Sequence, residues 1–318
     1  MQHFLLSAAA RTLSLKAVFK MGEDAAYDAF RMMRWPENDG EAVCPDCGCP
    51  ETYNITSRRR FKCVACHKQF SVTSGTIFAS RKLSYTDLLA AIVIFVNGAK
   101  GVSALQVSRD LDVQYKTAFV LSHKLRETMA REDAGQILDG VVEVDGAYFG
   151  GYVKPANYKD GRKDRRLLAN QSGKRQSVVV ARERDGDMLT FVGKSEAAGV
   201  AHVRSVVSDD VVIHADEASH WDVLHGTYVA KRINHSVCYS DGTACTNMAE
   251  SYFSRLRRAE VGVHHHIAGP YLNAYAGEMA WREDNRREAN GTQAAMVAGA
   301  AMASPVSRKW KGYWQREA

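Results

Sequence analysis

The sequence predicts an α/β fold in which a mixed sheet with flanking helices follows two smaller modules. Three observations along the 318 residues predict it. Two CxxC pairs lie within residues 39–80, short capped helical segments fill residues 81–133, and strand patterns alternate with helical ones over residues 138–290. Strands that alternate with helices are typical of α/β domains, and this length is enough for two or three domains.

The composition is that of a globular protein with a basic surface. Hydrophobic residues make up 46% of the chain, which is enough for real cores. No apolar run reaches the roughly 18 residues of a membrane helix. We therefore expect no membrane partner. No basic residue precedes the apolar patch at residues 4–10, so we do not expect a signal peptide. The net charge of +6 favours an acidic partner such as nucleic acid.

A helical segment and a zinc ribbon are predicted for the first 80 residues. Residues 1–38 have a loose helical pattern that Trp35-Pro36 ends. Four of the seven cysteines then form two CxxC pairs with the spacing of a tetrahedral Zn²⁺ site: Cys44, Cys47, Cys63 and Cys66. Four thiolates complete the shell, so this Zn²⁺ is predicted to be structural. Thiols kept for metal binding indicate a reducing compartment, and we expect the protein in the cytoplasm.

Three helices are predicted for residues 81–133, over residues 85–95, 104–111 and 115–129. Ser84 and Ser103 precede the first two helices as N-caps. The last two helices match a helix-turn-helix, in which the second helix enters the DNA major groove through its N-terminal residues. Here those residues include Lys116 and Thr117. The alternative is an ordinary three-helix packing unit.

Residues 138–290 are predicted to form one domain. Three strands, the last two joined as a hairpin, come before a helix, strand, helix, strand and helix. This order resembles the ribonuclease-H-like α/β fold. The predicted strands cover residues 141–144, 177–180, 189–192, 211–215 and 228–233, and the main helices cover residues 196–207, 247–258 and 271–288. Residues 291–318 are rich in alanine and are expected to be weakly ordered, although Trp310 and Trp314 could dock.

Two strand-end aspartates are the first candidate catalytic residues. Asp145 closes an apolar alternation, and Asp216 closes an apolar run typical of a strand buried on both faces. Because neighbouring strands lie about 4.8 Å apart, two such aspartates can share metal ions. Carboxylate oxygens suit Mg²⁺ or Mn²⁺, and a pair of these ions can activate an attacking oxygen and stabilise a leaving one.

A helix after the second aspartate contains the third candidate acid. Asn247, Glu250 and Arg257 fall on one polar stripe of that helix. Glu250 is therefore expected at the edge of the site, and the Arg257 guanidinium could bind a phosphate through two hydrogen bonds. Glu143 shares a strand face with Asp145 and is expected to have a structural role; the alternative is that it helps tune the site.

A basic segment lies between the first two predicted strands, over residues 159–175. It contains seven Lys or Arg residues against two Asp residues. Its candidate DNA contacts are Arg162, Lys163, Arg165 and Arg166. Beside a metal site, such a run would guide the DNA backbone. The alternative is a flexible, solvated loop.

Five motifs in the chain form a family pattern. They are Cys44-Pro-Asp-Cys47, Phe61-Lys-Cys63-Val-Ala-Cys66, Glu143-Val-Asp145-Gly-Ala-Tyr-Phe-Gly-Gly151, His214-Ala-Asp216 and Asn247-Met-Ala-Glu-Ser251. Together they resemble the bacterial insertion-sequence transposases with an N-terminal zinc ribbon and a DDE-type domain, the ISXO-like group. The resemblance implies a ribonuclease-H-like catalytic domain that excises and inserts DNA with Mg²⁺, as a homo-oligomer on paired element ends.

The third active-site position is Asn in many members of that family and Glu in others, followed by a basic residue that is usually Lys. Here Asn247 and Glu250 both match the motif, and Arg257 replaces the Lys. We expect Glu250 to be the metal-linked group, because an ionised carboxylate is a stronger ligand than a neutral amide, and Asn247 to position the substrate. Two alternatives remain: a structure-selective nuclease on the same fold, and a DNA-binding protein with an inactive catalytic domain.

Overall fold

The computed structural model describes residues 4–132, 134–150, 159–161, 173–184, 186–233 and 245–313. They divide into two compact units. The first unit joins Met1–Glu132 to Arg287–Ala318, and the second is Asp133–Arg286. Among the described residues, no helix is both long and apolar enough to span a membrane.

The first unit begins with a helix and a small antiparallel sheet. Helix α1 covers Leu15–Arg34 and is capped by Ser14, whose hydroxyl accepts a hydrogen bond from the Ala17 N–H at 3.1 Å. The sheet has the order β1-β2-β3, with strands Thr52–Ile55, Arg60–Cys63 and Gln69–Phe70. The helix lies within residues 1–38, where the sequence predicts a helical segment, and the small sheet lies within residues 39–80, where it predicts the zinc ribbon.

Three helices follow the sheet, also where the sequence predicts them. Helix α2 covers Tyr85–Asn97, α3 covers Ala104–Asp110, and α4 covers Tyr115–Glu132. Ser84 and Ser103 cap the first two, accepting hydrogen bonds from the N–H groups of Asp87 and Gln106 at 2.9 and 3.1 Å. The turn before α4 contains Asp112 in the left-handed region, at φ 49°. Binding of DNA by α4 remains a prediction.

The expectation of a weakly ordered tail over residues 291–318 is wrong for its first half. Helix α8 covers Asn290–Ala303 and packs against α1, α2 and α4. Small side chains let it approach these helices closely, and its buried residues are Ala294, Val297, Ala298, Ala301 and Met302. After the helix, Trp310 stacks on His123 with ring centroids 4.4 Å apart, so its predicted docking is confirmed. Trp314 lies outside the described residues.

The second unit is a five-stranded mixed sheet with helices on both faces. Its strands are β4 Val141–Phe149, β5 Gln176–Glu183, β6 Met188–Gly193, β7 Val212–Asp216 and β8 Val229–Ile233. Their order in the sheet is β6-β5-β4-β7-β8. Strand β5 pairs antiparallel with both β6 and β4, and strand β7 pairs parallel with both β4 and β8. This is the predicted ribonuclease-H-like topology.

Two apolar cores flank this sheet. Helix α5, Gly199–Val206, covers one face, where Val142 and Val144 of β4 are buried. Helices α6, Asn247–Ala259, and α7, Gly269–Asp284, cover the other face, where Ala147 and Phe149 of β4 are buried. Because side chains alternate along a strand, the odd-numbered residues of β4 point towards α6 and α7.

Candidate active site and zinc site

The four paired cysteines come together at one end of the small sheet. The Sγ atoms of Cys44 and Cys66 lie 3.6 Å apart, and those of Cys47 and Cys63 lie 3.5 Å apart. Sulfur ligands at about 2.3 Å from a tetrahedral Zn²⁺ would be separated by about 3.8 Å. The Cys66 N–H donates to the Cys63 sulfur at 3.4 Å, and this hydrogen bond favours the thiolate form that a zinc ligand needs.

Asp145 and Asp216 occupy neighbouring positions at the centre of the large sheet. The parallel pairing of β4 with β7 ends at Val144 opposite Ala215, so the two aspartates follow on adjacent strands. Asp216 is the last residue of β7, as the sequence predicts. Asp145 is not at a strand end, because β4 continues to Phe149 along its antiparallel partner β5. Asp145 is instead the first residue of β4 beyond the parallel pairing.

Helix α6 supplies the third acid. One side of the helix is buried against the sheet and α7, through Ala249, Tyr252, Phe253, Leu256 and Ala259. Glu250 lies in the first turn and is half-buried, whereas Asn247 at the start of the helix and Arg257 in its last turn are exposed. The predicted polar stripe therefore lies on the side of α6 that faces away from the core.

The acids are close enough to perturb one another. Burial, together with repulsion from Asp216, Glu196 and Glu250, raises the pKa of Asp145 to about 7, although the Gly146 N–H donates to its Oδ1 at 2.7 Å. Within the described part of the chain, only the four cysteines have all their ligand atoms within 4.8 Å of one another. The carboxylates thus converge without forming a closed shell.

Glu196 is a fourth carboxylate at this site, and the sequence analysis missed it. It precedes α5, and its Cγ lies 2.4 Å from where a Cβ on residue 146 would be, so glycine at that position leaves room for it. Burial and the charge of Asp216 raise the pKa of Glu196. The Asp145-Gly146 pair was the available signal, because a glycine inside a strand often marks a close approach.

The proposed DNA contacts divide between the described and undescribed parts of the chain. Arg162, Lys163, Arg165 and Arg166 lie outside the described residues. Lys116 and Thr117 are exposed in the first turn of α4, and they line an open cavity of about 440 Å³. Arg81, Lys82 and Lys124 line the same cavity, which makes it basic.

Two family models match this chain. One, described as an ISXO2-like transposase domain, matches residues 137–284, and the other, described as a transposase zinc-ribbon domain, matches residues 21–69. No protein of curated function matches significantly. Among solved structures, the "Crystal structure of the Mos1 Strand Transfer Complex" aligns at 12% identity and a TM-score of 0.26, covering 67% of this chain and 78% of that one. A likeness this weak carries no argument for the present chain.

Proposed function

The chain belongs to the ISXO2-like insertion-sequence transposases, and from that membership we propose that Asp145, Asp216 and Glu250 cut element ends and join them to target DNA with Mg²⁺ or Mn²⁺. The observation that supports this most is the convergence of these carboxylates within the matched residues 137–284, where burial, together with repulsion from Asp216 and Glu250, raises the pKa of Asp145. The match supports transposition as the class of reaction, and the proposal assigns the residues and the metal.

The donor set at the site fits a hard divalent cation. Four carboxylates face a common region, and their mutual repulsion, added to burial, is what a bound cation would relieve. Asp145, Asp216 and Glu250 would hold the ions, which would supply Lewis-acid activation of the attacking oxygen and charge stabilisation at the leaving oxygen.

The remaining residues bind and orient DNA. Arg257, exposed on α6, would bind a backbone phosphate, and Asn247 would orient the substrate beside Glu250. A water oxygen bonds to phosphorus at the element end while the bond to the 3′ oxygen breaks. The freed 3′-hydroxyl then displaces a 3′ oxygen in the target strand. Both steps are in-line displacements, and we propose that they occur in a homo-oligomer holding two ends.

One assay tests this function directly. Purified protein is incubated with Mg²⁺, labelled element ends and a plasmid, and the products are separated on a gel. We expect cut ends and ends joined to plasmid. Cutting without joining would instead identify a nuclease, and neither product would indicate a DNA-binding protein with an inactive catalytic domain.

The third acid can be assigned with two substitutions in the same assay. Glu250→Gln is expected to remove nearly all cutting and joining, because the half-buried carboxylate loses its negative charge and becomes a weaker metal ligand. Mn²⁺ should restore part of the activity. Asn247→Ala should slow the reaction less. Ser254→Ala, an exposed change on the same helix, serves as the control. Full activity of Glu250→Gln with loss in Asn247→Ala would reverse the assignment.

Metal binding should depend on pH because of Asp145. With its pKa raised to about 7, this carboxyl is mostly protonated below that pH, and a bound cation must displace the proton. We therefore expect Mn²⁺ affinity, measured by calorimetry, to rise about tenfold per pH unit below pH 7 and to level off above it. Glu196→Gln removes a negative neighbour and should shift this curve to lower pH. A flat affinity between about pH 5.5 and 8 would contradict the assignment.

DNA binding should separate into specific and non-specific parts. Replacing Lys116 by Ala is expected to change the relative affinity for different sequences, because the first turn of α4 would contact base edges. Replacing Arg162, Lys163, Arg165 and Arg166 by Ala should weaken binding to all sequences and reduce its dependence on salt concentration. Filter binding at several salt concentrations measures both. An unchanged salt slope in the four-residue variant would make the basic segment a solvated loop.

A further inference from the structure

Glu143 is a fully buried carboxylate that contacts the start of helix α6. Its Oε2 atom accepts hydrogen bonds from the backbone N–H groups of Met248 at 2.8 Å and Ala249 at 3.3 Å. The residue before the helix, Thr246, makes no side-chain capping hydrogen bond. Two of the first-turn N–H groups, which a helix leaves without internal acceptors, are therefore satisfied by a side chain from strand β4.

The other oxygen of Glu143 belongs to a partly buried polar network. Its Oε1 atom accepts from Arg184 Nη2 at 3.3 Å and from the Cys245 thiol at 3.4 Å. Arg184 Nη2 also lies 3.1 Å from His214 Nδ1, and the Cys245 N–H donates to that same nitrogen at 3.3 Å. The network thus joins β4, β7, the residue after β5 and the chain entering α6.

This network lies one layer beneath the candidate catalytic acids. Glu143 and His214 are paired across β4 and β7, and Asp145 and Asp216 each follow two residues later on the same faces of their strands. Helix α6, whose start Glu143 contacts, contains Glu250 in the same first turn. One carboxylate therefore links the strand of the first acid to the helix of the third.

We propose that Glu143 is a positioning residue of the active site, which fixes the start of α6 and thereby the distance of Glu250 from Asp145. The proposal rests on the proposed function, because it assumes that these acids share metal ions. A buried ionic group is a poor source of net stability compared with apolar packing, whereas it is effective at fixing one arrangement of two elements. Replacing a group that orients metal ligands without itself touching the metal typically lowers metal affinity by about 10–100-fold.

The test compares two carboxylate-to-amide changes in the full chain. In wild-type protein, one oxygen of Glu143 accepts from the first-turn N–H groups and the other accepts from Arg184. Glu143→Gln replaces one of these oxygens with an NH₂ group, which cannot accept and must therefore face one of the two sets of donors. Asp284→Asn is the matched control: Asp284 pairs with Arg182 of β5 at 2.7 Å, accepts a hydrogen bond from the Met188 N–H of β6 at 3.3 Å, and is also largely buried in the same unit. Mn²⁺ affinity is measured by electron paramagnetic resonance, and backbone exchange of the peptide containing Met248 and Ala249 is measured by mass spectrometry.

We expect Glu143→Gln to weaken Mn²⁺ binding by at least about tenfold and to speed exchange at the start of α6, and Asp284→Asn to lower the unfolding temperature without either effect. Equal losses of Mn²⁺ affinity in both variants, or faster exchange with unchanged affinity, would overturn the proposal. If Glu143→Gln does not fold, Arg184→Lys, which removes the guanidinium contact and keeps the charge, should give smaller changes in the same direction.

The same measurements separate this proposal from the proposed function. Mn²⁺ binding that survives Asp145→Ala would refute the metal site, and with it the role of Glu143 in that site. Unchanged exchange at Met248 and Ala249, with Mn²⁺ binding that does depend on Asp145, would refute only the contribution of Glu143.

Discussion

Replacing Asp145 by Ala is expected to abolish cutting and joining of DNA, with a loss of at least about a thousandfold, and Asp216→Ala should do the same. Each change removes a carboxylate at the centre of the site, and losing an essential group of a catalytic set typically has an effect of this size. Gel assays of labelled element ends measure both steps. Asp209→Ala, an exposed aspartate of the same unit, is the control and should keep wild-type activity.

The two aspartate variants should remain folded. The pKa of Asp145 is raised above its ordinary value, so the folded state favours the protonated carboxyl and the ionised form opposes folding. The stability that the protonated carboxyl contributes is present at acidic pH and is lost as the pH rises through about 7. Without metal at about pH 8, Asp145→Ala should therefore unfold at the same temperature as the wild type or at a higher one. Wild-type cutting by either variant would remove these residues from the mechanism.

Replacing Cys63 by Ser is expected to release the zinc and unfold the ribbon. The described core beside the four cysteines is small: Trp35, Phe61 and Phe70 pack with ring centroids between 5.6 and 6.5 Å apart. A module of this size depends on its metal, because structural Zn²⁺ contributes on the order of 10 kcal/mol to folding in small zinc domains. Mass spectrometry should find zinc near zero in the variant, and proteolysis should cut within residues 39–80.

Cys49→Ser provides the matched control for this experiment. Cys49 lies between the two pairs in sequence, but its sulfur is outside the cluster and is 3.7 Å from the Glu51 carbonyl oxygen. We expect this variant to keep its zinc. The second unit, residues 133–286, has its own cores and should resist proteolysis in both variants. Full zinc content in Cys63→Ser would contradict the four-thiolate site.

Local patterns in the sequence were sufficient for most of the fold. The serine caps located α2 and α3, strand patterns located the five strands of the large sheet, and the helical period placed Glu250 off the buried side of α6. The alanine-rich segment was misjudged for a related reason. Helix α8 has few large apolar side chains, and its burial depends on helices that lie about 160 to 290 residues earlier in the chain. A local pattern does not contain that information.

By itself, the sequence determined the elements that depend on spacing: the four-cysteine cluster, the strands with their aspartates, and the helix with Glu250 and Arg257. These follow from periods and ligand distances within short stretches of chain. Only the tertiary structure decided that Asp145 lies inside a long strand, that Glu196 approaches it over Gly146, and that Glu143 holds the start of α6. Each of these depends on strand pairing or on contacts between residues about 50 to 105 positions apart, which long-range packing creates and local sequence does not encode.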